Sequence, residues 1–254
     1  MLRFVDDDCT VVGLENVPTR GPILLAAPHF GYYALAALKI GRIFGNRLRV
    51  FYNPPERNAF SPIMNELFAR CSMEQLPLMN DRRGVLRAVR HLQEDGIVGI
   101  MPDVFGSARS NVYVPLFGRF CEAMTGTAFL STKTSAAVVP MHCERAGKGY
   151  KLFFHEPVRD FCEERQATRQ DLYILTRALF ESMEAIIRGN PASWTFWVEF
   201  ANALVETPKV PSSRADAYET LTEWNEFLSA SRDPNLRTLS ACVLPALKIM
   251  GRND

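Results

Sequence analysis

The chain has 254 residues, of which 47% are hydrophobic, and its 29 basic and 28 acidic residues leave a formal net charge of +1. That length and hydrophobic content allow a full core in one large domain, with or without a small appendage. The near-neutral charge argues against the concentrated basic surface that nucleic-acid binding requires, so we expect no nucleic-acid partner.

The six cysteines are scattered, without a CxxC pair or a metal-ligand spacing. Such cysteines indicate reduced, mostly buried thiols, so we expect a cytoplasmic protein without a metal or another cofactor. The first residues, Met1 to Asp8, have no signal-peptide pattern, and no window contains the roughly 18 apolar residues that span a bilayer. We therefore expect a soluble protein that attaches, at most, peripherally to the inner membrane.

Apolar runs alternate with helical patterns along the chain. The short apolar runs predict strands at 10–16, 22–27, 48–52, 97–101, 136–141 and 150–155. Apolar residues at helical spacing predict helices from 32 to about 43 and over 62–69, 84–93, 125–135 and 171–188. This alternation predicts an α/β fold, with a mixed central sheet flanked by helices.

The last 50 or so residues differ in composition from the rest of the chain. Prolines and serines after Leu204 form a linker-like break, and residues 236–250 are an apolar helical stretch with few charges. We expect one domain over residues 1–204 and a C-terminal linker with a helical appendage over 205–254.

Two polar residues lie just past the ends of predicted strands. His29 follows the strand at 22–27, where a helix begins, and Asp103 follows the strand at 97–101. Because ligands collect at the carboxyl ends of strands in such sheets, both side chains can face one cleft. A lone histidine, however, is more often a core residue than a catalytic one.

The stretch from His29 to Ala34 begins with His-Phe-Gly, and further blocks follow it in order. They are FYNP at 51–54, MPD at 101–103, RSNVYVPLFG at 109–118, TGT at 125–127 and PASWTFW at 191–197. In order and spacing the blocks resemble the lysophospholipid acyltransferase superfamily, in its branch of lipid A late acyltransferases. The resemblance covers roughly residues 10 to 200 and implies the glycerol-phosphate and lipid A acyltransferase fold, here without a transmembrane anchor.

The chain departs from that family pattern at informative positions. The family motif is a histidine, four variable residues and then a glutamate or aspartate, whereas here the acid position is Ala34. Asn53 stands where the family usually has arginine. The family ending usually continues into His-Arg-Arg-Phe, and here residues 198–201 read Val-Glu-Phe-Ala.

The resemblance implies acyl transfer. In the family the histidine takes a proton from the acceptor hydroxyl, which attacks an acyl thioester, and the acid hydrogen-bonds the other ring nitrogen. With alanine at position 34, three interpretations stay open. Another carboxylate, Asp103 before others, orients His29; or the acceptor is an amine or another group that needs less activation; or the chain is a non-catalytic acyl-binding or scaffolding homologue.

We expect an acyltransferase with His29 as general base. The acyl donor would be an acyl carrier protein or coenzyme A thioester. The acceptor would be a hydroxyl or amine of a lipid-like or specialised-metabolite molecule. His29 and Asp103 are the expected catalytic residues. The expected substrate-binding residues are Phe30, Gly31, Tyr33, Ala34, Arg70, Arg109, Phe117 and Gly118. Trp194 and Trp197 are interpreted as core packing.

The helix predicted at 84–93 has a row of arginines on its polar face. These are Arg82, Arg83, Arg87 and Arg90. Such a row is most often a solvated face. The alternative is a docking surface for an acidic acyl carrier protein or for lipid phosphate, and the four arginines are the candidates for carrier docking.

Overall fold

The computed structural model describes residues 3–52, 60–71, 73–76, 82–105, 112–117, 119–158 and 168–203. The predicted linker and the predicted helix over 236–250 lie outside these ranges. The division of the chain into two domains therefore stays a prediction.

Helices and strands alternate along most of the described chain. The helices are α1 (Arg3–Asp7), α2 (Tyr33–Phe44), α3 (Phe60–Arg70), α4 (Arg82–Gln93), α5 (Gly126–Thr134), α6 (Arg169–Gly189) and α7 (Trp197–Ala203). The strands are β1 (Cys9–Val12), β2 (Ile23–Ala26), β3 (Leu48–Phe51), β4 (Glu74–Leu76), β5 (Ile97–Ile100), β6 (Val112–Leu116), β7 (Arg119–Ala123), β8 (Ala137–Ala146) and β9 (Gly149–Phe154). Every strand and helix predicted in this part of the chain is present, except that residues Leu14–Asn16 of the strand predicted at 10–16 form a 3₁₀ helix. The elements α1, β4, β6, β7 and α7 were not predicted.

Seven of the strands form one mixed sheet in the order β1-β9-β8-β2-β5-β3-β4. The five strands from β8 to β4 are parallel to one another. Strand β9 runs antiparallel to β8, and β1 is parallel to β9. The hairpin β6–β7 forms a separate two-stranded sheet. The predicted fold class, a mixed central sheet flanked by helices, is confirmed.

Both faces of the sheet are covered, which explains why its central strands are continuous apolar runs. Alternate residues of β2 point to opposite faces. Leu24 and Ala26 belong to the core that includes residues of α4, α5 and α6. Ile23 and Leu25 belong to the core that includes residues of α2 and α3. A polar residue within β2 would therefore lose water on either face, so the polar groups of this region lie beyond the strand ends.

The long helix α6 begins at a capping box. The Thr168 hydroxyl accepts a hydrogen bond from the backbone N–H of Asp171, and the Asp171 carboxylate accepts one from the backbone N–H of Thr168. These bonds satisfy donors that the first helical turn leaves open. None of the helices in the described ranges is long and apolar enough to cross a membrane.

Candidate active site

The candidate site lies where β2 and β5 end side by side. The two strands are parallel neighbours, and Ala26 pairs with Ile100 at their last positions. His29 and Asp103 each follow three residues after that pair. The topology therefore brings both residues to the same edge of the sheet, as the sequence predicted from the two strand ends.

The Asp103 carboxylate binds His29 through both of its oxygens. Asp103 Oδ1 lies 2.8 Å from His29 Nδ1. Asp103 Oδ2 accepts a hydrogen bond of 2.7 Å from the His29 backbone N–H and one of 2.9 Å from Trp194 Nε1. Asp103 is 0% exposed, whereas the His29 side chain keeps 16% of its surface accessible. The buried carboxylate is thus fully hydrogen-bonded, and the imidazole lies between it and solvent.

This arrangement selects one tautomer of His29. An ionised carboxylate only accepts hydrogen bonds, so His29 Nδ1 carries the hydrogen that it donates to Asp103. Nε2 then holds the lone pair. In the described ranges no other group contacts Nε2 by a hydrogen bond. Among the described residues, none therefore competes with a substrate for Nε2, the nitrogen that can take a proton.

Aromatic rings hold the imidazole on two sides. The Phe196 ring stacks on His29 with the ring centroids 3.9 Å apart and an angle of 19° between the planes. The Tyr33 ring meets it edge-on at 5.4 Å. Tyr33 is 38% exposed, so it lines the open side of the site. These contacts restrict rotation of the His29 ring.

Gly31 forms the turn between β2 and α2. Its φ is +57°, and a Cβ placed on it would lie 2.3 Å from the Cys143 carbonyl oxygen. Its N–H donates to the Ser193 carbonyl at 2.8 Å, and the Tyr32 N–H donates to the Cys143 carbonyl at 2.9 Å. Only glycine combines this positive φ with so close an approach of another backbone.

Ala34 lies in the first turn of α2 and is exposed. Its methyl group cannot accept a hydrogen bond. His29 Nδ1, which the family resemblance would pair with an acid at position 34, is instead bonded to Asp103. Nδ1 is therefore bonded to a carboxylate that follows another strand, β5.

The other predicted substrate-binding residues are dispersed. Phe30 is 1% exposed and its side chain packs in the core. Arg70 is exposed at the end of α3 and pairs with Glu66, one turn earlier. Phe117 lies in the β6–β7 turn, where its N–H donates to the Glu184 carboxylate at 2.9 Å. Arg109 and Gly118 lie outside the described residues.

Three consecutive residues of the site were not predicted. Trp194 donates to Asp103, Thr195 donates to the His29 carbonyl from both its N–H and its hydroxyl, and Phe196 stacks on the ring. Trp194 is indeed a core residue, as predicted, but it also has this polar contact. Trp197, which was predicted to be core packing as well, is 39% exposed. The available signal was that a buried indole N–H needs an acceptor and a buried carboxylate needs donors.

Two further histidines lie close to Phe30, the residue after His29. His142 Nδ1 and His155 Nε2 are 2.9 Å apart, so one ring donates a hydrogen bond to the other. The Phe30 ring packs edge-on against His142 at 5.4 Å. Burial, with a smaller effect of His155, lowers the pKa of His142 to about 4, and burial also lowers the pKa of His155. Burial of this pair thus favours the neutral form of both rings.

The basic row lies on the outer side of α4. Arg83, Arg87 and Arg90 are exposed, and Leu86 between them is 58% exposed. For Arg82 only the position in α4 is described. The last turn of α4 lies near the start of β3, since His91 Nε2 bonds the Arg47 carbonyl at 2.7 Å. The first turn, with Arg83, is thus toward the edge of the sheet that holds His29.

The chain resembles several proteins of known name. Over 175 residues it is 25% identical to the phosphatidylinositol mannoside acyltransferase of Mycolicibacterium smegmatis. This alignment covers 69% of this chain and 55% of that protein. It is also 25% identical over 172 residues to the protein of that name from Mycobacterium tuberculosis. This second alignment covers 67% of this chain and 52% of the mycobacterial protein. The chain thus spans about half the length of these curated relatives.

A solved structure and a family model also match the chain. The crystal structure of the 1-acyl-sn-glycerophosphate acyltransferase from Thermotoga maritima aligns over 75% of each chain with a TM-score of 0.44 and 16% identity. The family model of the bacterial lipid A biosynthesis acyltransferases matches residues 3–199, which include every residue of the His29 site described above. The chain therefore belongs to the bacterial lipid A biosynthesis acyltransferase family.

Proposed function

We propose that the protein is an acyltransferase in which His29 is the general base and Asp103 orients it. The observation that carries the proposal is the hydrogen bond of 2.8 Å between His29 Nδ1 and Asp103 Oδ1, which leaves Nε2 as the basic nitrogen. A positioned base with an orienting partner is the arrangement that activates a hydroxyl for attack on an acyl group. Membership of an acyltransferase family supports the same chemistry.

In the proposed reaction, the acceptor hydroxyl or amine gives its proton to His29 Nε2 while its oxygen or nitrogen attacks the thioester carbonyl carbon. Collapse of the tetrahedral intermediate breaks the carbon–sulfur bond. The leaving thiolate takes the proton from Nε2, so the products are an ester or amide and a free thiol. Asp103 keeps the Nδ1–H oriented and stabilises the imidazolium between the two proton transfers.

The first turn of α2 suits the negative charge that develops on the carbonyl oxygen. It has no side-chain cap, and Tyr33 begins the helix four residues after His29. Backbone N–H groups at a helix N-terminus are unpaired within the helix and carry partial positive charge. Fixed donors of this kind stabilise an oxyanion. We propose that the N–H groups of this turn contribute to that stabilisation.

An amphipathic acceptor and a fatty acyl chain fit the surroundings of the site. Tyr33 is 38% exposed and Val104, which follows Asp103, is 42% exposed. Exposed apolar side chains beside polar groups are typical of surfaces that bind apolar ligands. The names of the mycobacterial relatives support a lipid acceptor as well.

The non-catalytic alternative predicted from Ala34 is less well supported by this geometry. A histidine without a nearby polar partner would favour a binding or scaffolding protein. Asp103 and its two hydrogen bonds to His29 favour the enzyme instead.

The test is an acyl-transfer assay with the purified chain. Acyl carrier protein and coenzyme A thioesters of several chain lengths are offered with glycolipid, lysophospholipid and small amphipathic acceptors, and lipid products are detected by mass spectrometry. We expect a transfer product that requires His29 and is absent with His29→Ala. Failure of the folded wild-type chain to form any such product across these donors and acceptors would contradict the proposal.

We further propose that α4 docks an acyl carrier protein as the donor. Arg83 and Arg90 lie about 10 Å apart along one side of the helix, at 1.5 Å per residue. Exposed Leu86 lies in the same row. A cationic surface with one apolar side chain complements an acidic carrier protein, and attraction between opposite charges raises the rate of encounter.

Reversing two charges on α4 is expected to weaken carrier-dependent transfer. For Arg87→Glu with Arg90→Glu we expect kcat/KM with an acyl carrier protein to fall about tenfold or more at low salt, because steering of a charged partner is lost. The kcat/KM with a coenzyme A thioester as donor should fall less. Added salt should narrow the difference between wild type and variant, since the Debye length shrinks to about 10 Å at 0.1 M.

The matched control for that variant is Lys148→Glu with Lys151→Glu. Both lysines are exposed in the β8–β9 hairpin, and the change in net charge is the same. In the control variant, kcat/KM with the carrier-protein donor and with the coenzyme A donor should change by the same factor. Equal losses with carrier protein and coenzyme A in the α4 variant would remove the docking proposal and leave the general proposal of acyl transfer intact.

A further inference from the structure

We propose that Trp194 is a positioning residue for the pair His29–Asp103, a role that rests on the proposed function. Its indole N–H donates to Asp103 Oδ2 at 2.9 Å, and the His29 backbone N–H donates to the same oxygen at 2.7 Å. These two donors occupy Oδ2, so Oδ1 is the oxygen that remains for the imidazole. The two donors thereby fix the orientation of the planar carboxylate relative to the ring.

The indole itself is held firmly enough to set that orientation. Trp194 is 2% exposed. Its ring centroid lies 4.8 Å from that of Trp197, 5.7 Å from Phe200 and 5.9 Å from Phe117. Phe105, two residues after Asp103, also contacts it at 6.3 Å. A side chain packed on several sides in a dense core has little freedom to rotate, so its N–H points in a constant direction.

The residues next to Trp194 hold the backbone of His29. The Thr195 N–H and hydroxyl donate to the His29 carbonyl at 2.9 and 2.8 Å. The Ser193 carbonyl accepts the Gly31 N–H, and Phe196 stacks on the His29 ring. One segment, 193–196, thus binds the main chain, the ring and the carboxylate partner of His29. We infer that this segment provides the orientation that Ala34 does not provide.

The variant Trp194→Phe removes the N–H and keeps an aromatic ring. Because one charge-assisted hydrogen bond to the carboxylate is lost, we expect kcat for acyl transfer to fall about 10- to 100-fold, with the KM of the donor within about twofold. The tautomer of His29, which reports on the orientation of the carboxylate, can also be measured without substrate. The chain has four histidines, so ¹⁵N-labelled histidine spectra can resolve the ring of His29. In wild type Nδ1 carries the hydrogen, and in Trp194→Phe we expect the other tautomer to gain population.

The matched control is Trp197→Phe. Trp197 belongs to the same aromatic cluster, but its indole N–H donates to the Pro191 carbonyl at 2.9 Å. We expect the His29 ¹⁵N signals of this variant to equal those of wild type. If the phenylalanine variant at 194 does not fold, β-(3-benzothienyl)alanine at that position replaces N–H by sulfur with little change of shape and gives the same test.

The results of these experiments distinguish the positioning role of Trp194 from the proposed acyltransferase function. A tautomer shift in Trp194→Phe supports the positioning role even if the wild-type chain transfers no acyl group, in which case the proposed function fails alone. Wild-type His29 signals and wild-type kcat in a folded Trp194→Phe would overturn the positioning role. Equal tautomer shifts in the 194 and 197 variants would also overturn it, because they would reflect general loosening of the cluster.

Discussion

Asp103→Asn is expected to lower kcat for acyl transfer by about 10³- to 10⁴-fold while the protein stays folded, by analogy with loss of the orienting carboxylate in serine-protease triads. The structure gives the reason. The oxygen at the Oδ2 position faces two donors, the His29 N–H and the Trp194 indole, so the amide oxygen of asparagine will take that place. The amide NH₂ then faces His29 Nδ1 and donates to it. The hydrogen moves to Nε2, which no longer accepts a proton from the acceptor.

The control for this substitution is Asp95→Asn. Asp95 is exposed in the turn after α4, and asparagine tolerates its φ of +58°. Transfer rates of this variant should equal those of wild type, as should its thermal unfolding. If a folded Asp103→Asn protein kept its kcat within tenfold of wild type, Asp103 would not be the residue that orients His29.

Gly31→Ala is expected to reduce both stability and transfer. A left-handed backbone costs a residue with a side chain about 1–2 kcal/mol. At this position the new Cβ would also lie 2.3 Å from the Cys143 carbonyl oxygen, so the backbone must move. We expect the free energy of unfolding to fall by about 3–5 kcal/mol, at the upper end of single substitutions. Since Gly31 is two residues from His29, the same movement displaces the base, and kcat should fall at least about tenfold.

Gly147→Ala separates the steric cost from the cost of the backbone conformation. Gly147 has a φ of +61° in the β8–β9 turn, and a Cβ there would meet nothing within 4 Å. Its substitution should therefore cost only about 1–2 kcal/mol and leave transfer unchanged. Urea unfolding of the two variants measures the difference. Equal losses of stability would mean that the Cys143 carbonyl can move aside, contrary to this explanation.

The central strands β2, β5 and β8 could be predicted because their apolar runs are buried on both faces. The site could be predicted in part for a related reason, since polar residues that follow such runs come to the carboxyl edge. The order of the strands could not be predicted. Strand β5 lies between β2 and β3, although both precede it in the chain. The contact between His29 and Asp103 depends on that insertion.

The β6–β7 hairpin was missed because its conformation depends on distant groups. Pro115 lies within the apolar run of β6, and proline argues against a strand unless it lies at an edge. Phe117, in the turn, has a φ of +52°, which is uncommon for a residue other than glycine. Its N–H is bound by Glu184, which is 67 residues away. Local sequence has no information about such a partner.

The hydrogen bond of Trp194 to Asp103 could not be predicted for a similar reason. Its aromatic neighbours in the sequence are typical of a core segment, and the core role was predicted. Its hydrogen-bond acceptor, Asp103, is 91 residues away. The departures from the family pattern at Ala34 and at 198–201 indicated a changed site. They did not indicate that segment 193–196 takes part in it.

We propose that His29 and Asp103 act as one unit in acyl transfer, and a double-mutant measurement tests this proposal most directly. The transfer rates of His29→Ala, Asp103→Asn and the double variant are compared with wild type under one set of conditions. Because groups that act as a unit are not additive, we expect the double variant to be no more than about threefold slower than the slower single variant. If the two losses multiplied in the double variant, the residues would act independently and the proposed pair would be contradicted.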